Sequence, residues 1–155
     1  VRRHAIVRLA EFEEANGLAI NQRSWKAVKR PDSTAAEHGE AEFLTRLKLV
    51  PDTWLGGPPW QKVLGIARNR VGSYPEAIDA LTGSERANAG EEDAPLPADL
   101  AFLAKALAMN GDAEKARKKL AWLRDAMKKP RWEKDAEAQV FLLEAEAVVE
   151  EVSPK

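Results

Sequence analysis

The chain has no cysteine among its 155 residues. That rules out a disulfide framework, a thiolate nucleophile and the common structural zinc sites. Tyrosine occurs once, histidine twice, and aromatic residues make up only 6%. The β-branched and aromatic clusters that mark strands are correspondingly scarce. A formal net charge of -1 leaves no strongly basic footprint, so neither nucleic acid nor an anionic membrane surface is expected as a partner. No apolar run approaches the roughly 20 residues a spanning helix needs, and no secretory segment follows Val1, so a cytoplasmic location is expected. The absence of an initiator methionine suggests a piece of something longer. What is abundant is alanine, leucine, glutamate, lysine and arginine, all strong helix formers, which points to an all-α fold.

An internal repeat organises these helix formers. A shift of 39 positions superposes Leu64 on Leu103, Gly65 on Ala104, Ala67 on Ala106, Gly72 on Gly111, Ala77 on Ala116 and Leu81 on Leu120. Each unit reads as a helix, a Gly-centred turn (71 to 74 and 110 to 113) and a second helix, an antiparallel αα-hairpin. Gly72 and Gly111 can take the left-handed conformation that ends a helix, and Ser73 and Asp112 are placed to cap the next one. Pro75 and Pro97 suit the first turn of a helix, and Pro130 ends one. The pattern predicts eight helices, near 2 to 15, 17 to 29, 34 to 49, 58 to 71, 74 to 87, 97 to 110, 112 to 129 and 133 to 151. Connections fall at 52 to 59 and 89 to 97. Leu100, Leu103, Ala104 and Leu107 form one buried stripe, and Ala116, Leu120, Leu123 and Met127 a facing one.

The segment at 64 to 81, L-G-I-A-R-N-R-V-G-S-Y-P-E-A-I-D-A-L, resembles a tetratricopeptide (TPR) unit. Leu64, Gly65, Gly72, Tyr74, Ala77 and Leu81 occupy that family's marker positions. Leu103, Ala104, Gly111, Ala116 and Leu120 do so in the next unit, where Ala113 replaces the tyrosine. Pro51 looks like the proline closing a more divergent unit before them. Residues 97 to 120, with 123 to 132 and 137 to 147, are also similar to the carboxyl-terminal TPR-like regions of planctomycete serine/threonine kinases and related multidomain proteins. The resemblance implies a right-handed solenoid of helical hairpins over a single domain, 1 to 155. Divergent hairpins would occupy 1 to 50, clearer repeats 58 to 89 and 97 to 129, and a capping helix 133 to 151. It also implies a bacterial source and an attached catalytic domain. The chain itself has no phosphate loop, no H-R-D and no D-F-G, so it is not a kinase.

Candidate chemistry is sparse. His4 and His38 lack any metal-ligand or nucleophile context and read as surface residues. Glu91, Glu92 and Asp93 lack calcium-loop spacing, and Gly56 and Gly57 lack the Gly-Lys-Ser or Gly-Lys-Thr of a phosphate loop. No metal, no cofactor and no enzymatic activity are expected. Of the five tryptophans, Trp25, Trp60 and Trp122 are expected in the core, and Trp54 and Trp132 at the surface beside loops. The basic run Lys128, Lys129, Arg131 and Lys134 complements a helix C-terminus.

The resemblance further implies a concave groove lined by the first helix of each hairpin. Lys62, Ile66, Asn69 and Arg70 would line it from one unit, and Ala101, Phe102, Lys105 and Met109 from the next. Ile66 and Phe102 stand where TPRs that clamp a chaperone's terminal carboxylate carry asparagines, which disfavours that ligand. The expected function is a protein-interaction scaffold taking a protein or peptide in this groove, with a non-catalytic regulatory or docking tail as the alternative. The last helix is expected to cap the hairpins through Ala136, Val140, Leu143 and Ala147.

Overall fold

The computed structural model describes residue 19 and residues 21–46 and 60–152. The predicted helix at 2 to 15, Pro51, His4, Trp54 and the Gly56–Gly57 turn lie outside the described residues. The rest is all-α, with eight helices and no strand among the described residues. These are α1 at 21–28, α2 Ala35–Arg46, α3 Trp60–Arg70, α4 Tyr74–Asn88, α5 Pro97–Met109, α6 Ala113–Ala126, α7 Pro130–Glu133 and α8 Ala136–Val152.

Local chemistry sets the boundaries. Thr34 and Glu37 form a reciprocal capping box: the Glu37 amide donates to Thr34 Oγ1 at 3.2 Å, and the Thr34 amide donates to Glu37 Oε2 at 2.7 Å. That backbone bond holds the Glu37 carboxyl below its ordinary range. α3 and α5 both end on a glycine in the left-handed region, Gly72 at φ 85° and Gly111 at φ 89°. The returning amides of Ser73 and Asp112 then reach the Arg68 and Leu107 carbonyls at 2.8 and 2.9 Å, which satisfies carbonyls the helix leaves open. Asp112 caps α6 by accepting from the Lys115 amide at 3.1 Å. Ser73 differs from the expectation: it occupies the N-cap of α4 but its side chain makes no capping bond. The last helix starts at Ala136, later than the expected 133. Asp135 Oδ1 accepts from the Ala138 amide at 2.8 Å and so starts α8 afresh after the single turn of α7.

α5 is the centre of the molecule. Every residue from Pro97 to Ala108 is buried, as expected of a helix that is apolar on nearly all sides. α4 and α3 cover part of it, and α6 and α8 cover the rest. α3 and α4 run in opposite directions, because Gly65 lies against Leu81 and Gly83 against Gln61. A Cβ on Gly65 would stand 2.5 Å from Leu81 Cγ, so only glycine permits this approach. The stripes read from periodicity are all in the core: Leu100, Leu103, Ala104 and Leu107 on α5, and Ala116, Leu120, Leu123 and Met127 on α6 and just beyond it. Ala67, Ala77 and Leu81 join them without measurable exposure.

α8 runs parallel to α5. Phe102 meets Phe141 and Lys105 meets Glu144, two contacts with the same separation along the chain. Its buried stripe is Ala138, Phe141, Ala145 and Val149. The expected set of Ala136, Val140, Leu143 and Ala147 faces outward instead. Phe141, flanked by the half-buried Leu142 and Val148, gives the inner side the larger apolar area, and burial follows area.

Candidate interaction surface

The groove residues lie on the faces of α3 and α5 that point toward α8 and α1. Asn69 ties the two helices together by donating from Nδ2 to the Phe102 carbonyl at 3.2 Å. Arg70, the last residue of α3, donates from Nε to the Val28 carbonyl of α1 at 2.9 Å, and grips Glu144 of α8 through Nη1 and Nη2 at 2.5 and 2.9 Å. Lys105 of α5 reaches Glu144 Oε2 at 2.5 Å. The Phe102 ring lies between these cations, 4.9 Å from the Arg70 guanidinium carbon and 4.6 Å from Lys105 Nζ. It also meets Phe141 edge-on at 5.4 Å, and Phe141 in turn meets Trp25 at 6.2 Å. Lys29 and Glu137 close the rim at 2.7 Å.

The structure therefore gathers Lys62, Ile66, Asn69, Arg70, Phe102 and Lys105 on adjoining helices, and it covers them. Ile66 and Phe102 have no exposed surface, and Asn69, Lys62 and Lys105 keep 6%, 8% and 8%. An open peptide groove is not what these side chains line. Arg70, Phe102 and Lys105 are held by the chain's own α1 and α8, through Val28, Phe141 and Glu144. Ala101 is buried in the same core, whereas Met109 is exposed.

Burial alone would raise the Glu144 carboxyl, but the hydrogen bonds and charges of Arg70 and Lys105 outweigh it and hold the group below its ordinary range. For Lys105 burial is the larger effect, and the ammonium is depressed despite Glu144. Lys62 is likewise depressed by burial, with Asp99 and Glu137 opposing. Asp99 is raised by burial against the pull of Lys62 and of its bonds from Ser84 Oγ at 3.0 Å and Asn88 Nδ2 at 3.4 Å.

Several surface expectations change. His38 is buried at 7% exposure, with its imidazole depressed by burial and by Arg70; it sits on the inner face of α2, where the capping box aims it. Trp122 is exposed at 52%, because it lies on α6 away from the Ala116–Leu120–Leu123 stripe, with Lys119 Nζ 4.6 Å above its ring. Trp132 is half-buried and donates from Nε1 to the Asp93 carbonyl at 3.3 Å, which ties α7 to the 89–96 connection. In the basic run, Lys128 pairs with Asp125, Lys129 binds the Ala94 carbonyl, and Arg131 faces Asp93 and Asp135. In a cleft of about 560 Å³ between α4, α5 and α6, Glu85 pairs with Lys119, and Asp99 accepts from Ser84 and Asn88. Among the described residues no cluster of histidine and carboxylates is placed to hold a metal, and no helix is long and apolar enough to cross a membrane.

Glu144 and Phe141 were not legible as partners of the groove. One signal existed: they follow Lys105 and Phe102 by the same 39 positions as the repeat, so a carboxylate falls on the lysine and an aromatic on the aromatic. No protein-family model, curated protein or solved structure matches the chain.

Proposed function

We propose that this protein is a non-catalytic docking module: a TPR-like stack of helical hairpins that offers its outer helical surface, not an internal groove, to other protein. The observation that carries this reading is the burial of the groove side chains beneath the chain's own α1 and α8: Arg70 binds the Val28 carbonyl of α1, Phe102 packs on Phe141 of α8, and Glu144 binds both groove cations. A peptide in trans would have to displace a helix that the fold itself needs. The apolar outer stripe of α8 is available instead, with Val140 exposed at 39% and Leu143 at 64%. The resemblance of residues 97 to 147 to the tails of serine/threonine kinases supports a place beside a catalytic domain in a larger protein. A right-handed solenoid, as the resemblance to TPR units implies, is the architecture we assign to the hairpins.

Thiol labelling tests the reading, since the chain has no cysteine of its own. In dilute solution Leu143→Cys should react about 100-fold faster than Lys105→Cys, because the latter reacts only on local opening. Equal rates would mean that the groove is open and that the reading fails.

A further inference from the structure

A pocket of about 220 Å³ opens on the inner side of α8, away from its outer stripe, and Lys62 of α3 lines it. Trp25 of α1, Trp132 of α7 and Phe141 of α8 form aromatic walls, and Pro97 adds the start of α5. Both tryptophans are half-buried, and Arg131 and Glu137 in the lining keep 57% and 40% of their side chains in solvent, so the pocket reaches the surface. A cavity of about 150 Å³ already takes a benzene ring. This one has room for a substituted ring.

Lys62 is a buried lysine without a partner. It keeps only 8% of its surface exposed, and its ammonium makes no hydrogen bond and no ion pair among the described residues. The carboxyls around it are engaged elsewhere: Glu137 holds Lys29 at 2.7 Å, Asp135 caps α8 and faces Arg131, and Asp99 accepts from Ser84 and Asn88. Asp99 and Glu137 act on Lys62 through their charge alone, and burial outweighs both, which shifts the group toward its free amine. A desolvated amine against apolar walls is the arrangement that attacks a carbonyl carbon.

We propose that this pocket captures a small aromatic aldehyde as an imine on Lys62. The three aromatic side chains supply faces and edges for the ligand's ring. An anionic ligand would instead meet the carboxylates of Asp135 and Glu137. In the capture step the Lys62 nitrogen adds to the carbonyl carbon, its two protons leave with the carbonyl oxygen as water, and a C=N bond replaces the C=O bond. No oxidant or second reactant is consumed, and hydrolysis reverses the step. The neutral imine leaves no unpartnered charge in the buried wall.

The unaltered chain serves for the test. It is treated at neutral pH with benzaldehyde and cyanoborohydride, which reduces an imine to a stable secondary amine, and the adducts are mapped by mass spectrometry of its peptides. The benzyl group should fall on Lys62 about ten-fold more often than on Lys118, whose side chain is 66% exposed. In guanidinium chloride, where the pocket is gone, that preference should vanish. Labelling of Lys62 no greater than that of Lys118 would overturn the capture. A preference that persists in the unfolded chain would assign it to local sequence and overturn the role of the pocket. Acetaldehyde, the same carbonyl without a ring, should favour Lys62 less than benzaldehyde does; an equal preference would overturn the aromatic selectivity.

Discussion

Glu144 of α8 ties together three helices, through Arg70 of α3 and Lys105 of α5. It is a carboxylate with 15% of its side chain exposed, held by two cations from different helices, and the cations themselves are nearly dry. Removing one partner of such a cluster leaves the others buried and uncompensated, so Glu144→Ala should destabilise the fold by about 3–5 kcal/mol in urea unfolding. The pH dependence follows from the direction of its shift. A carboxyl whose folded pKa is depressed contributes stability that is fully present above its unfolded pKa and is lost as pH falls through the folded one. The stability gap between wild type and Glu144→Gln should therefore be small in strong acid and widen as pH rises toward neutral. A gap independent of pH would remove the ion cluster as its cause. Asp99 has the opposite sign, since its carboxyl is raised by burial and its ionisation opposes folding.

At the scale of elements, the two inter-helix turns look alike in sequence and are built differently. Both use a left-handed glycine and the same returning backbone bonds, but only Asp112 caps with its side chain. Asp112→Ala should cost about 1 kcal/mol, and Ser73→Ala only a few tenths, measured as shifts in the denaturant midpoint. Equal losses would show that Ser73 caps in solution. The start of α8 has the same logic. Asp135 caps it, and that cap separates α8 from α7 and leaves α8 free to turn its Phe141 side inward. Residue periodicity alone admitted two apolar stripes on this helix, one through Ala138, Phe141, Ala145 and Val149 and one through Ala136, Val140, Leu143 and Ala147. Choosing between them requires knowing the surface that receives the helix.

At the scale of the whole molecule, α5 is surrounded, and α8 supplies one wall. Burying a large apolar side chain contributes about 1.5–3 kcal/mol. Phe141 and Val149 together with the Glu144 cluster thus amount to a large share of the roughly 5–15 kcal/mol by which a domain is stable. Deleting residues 136 to 155 should uncover Phe102 and Lys105, abolish cooperative unfolding and promote aggregation, seen in thermal melts and light scattering. A truncated chain that melts as the intact one does would reduce α8 to an appendage and reopen the face beneath it.

Helix type, turn positions and the core of α5 and α6 were readable from the sequence because they depend on neighbours in the chain: propensity, a glycine where φ must be positive, a proline in a first turn, and apolar residues at three-and-four spacing. The resemblance to TPR units named Lys62, Asn69, Arg70 and Lys105 together, and they stand on α3 and α5. What covers them was not readable. Glu144 stands 74 positions from Arg70 and 39 from Lys105, and Val28 of α1 stands 42 from Arg70. No local pattern encodes contacts at such separations. Only the tertiary structure decided that α8 turns its aromatic, carboxylate-bearing side inward and its Ala136, Val140, Leu143 and Ala147 stripe to solvent, because that choice minimises exposed apolar area over the molecule as a whole and pairs charges that burial would otherwise leave alone.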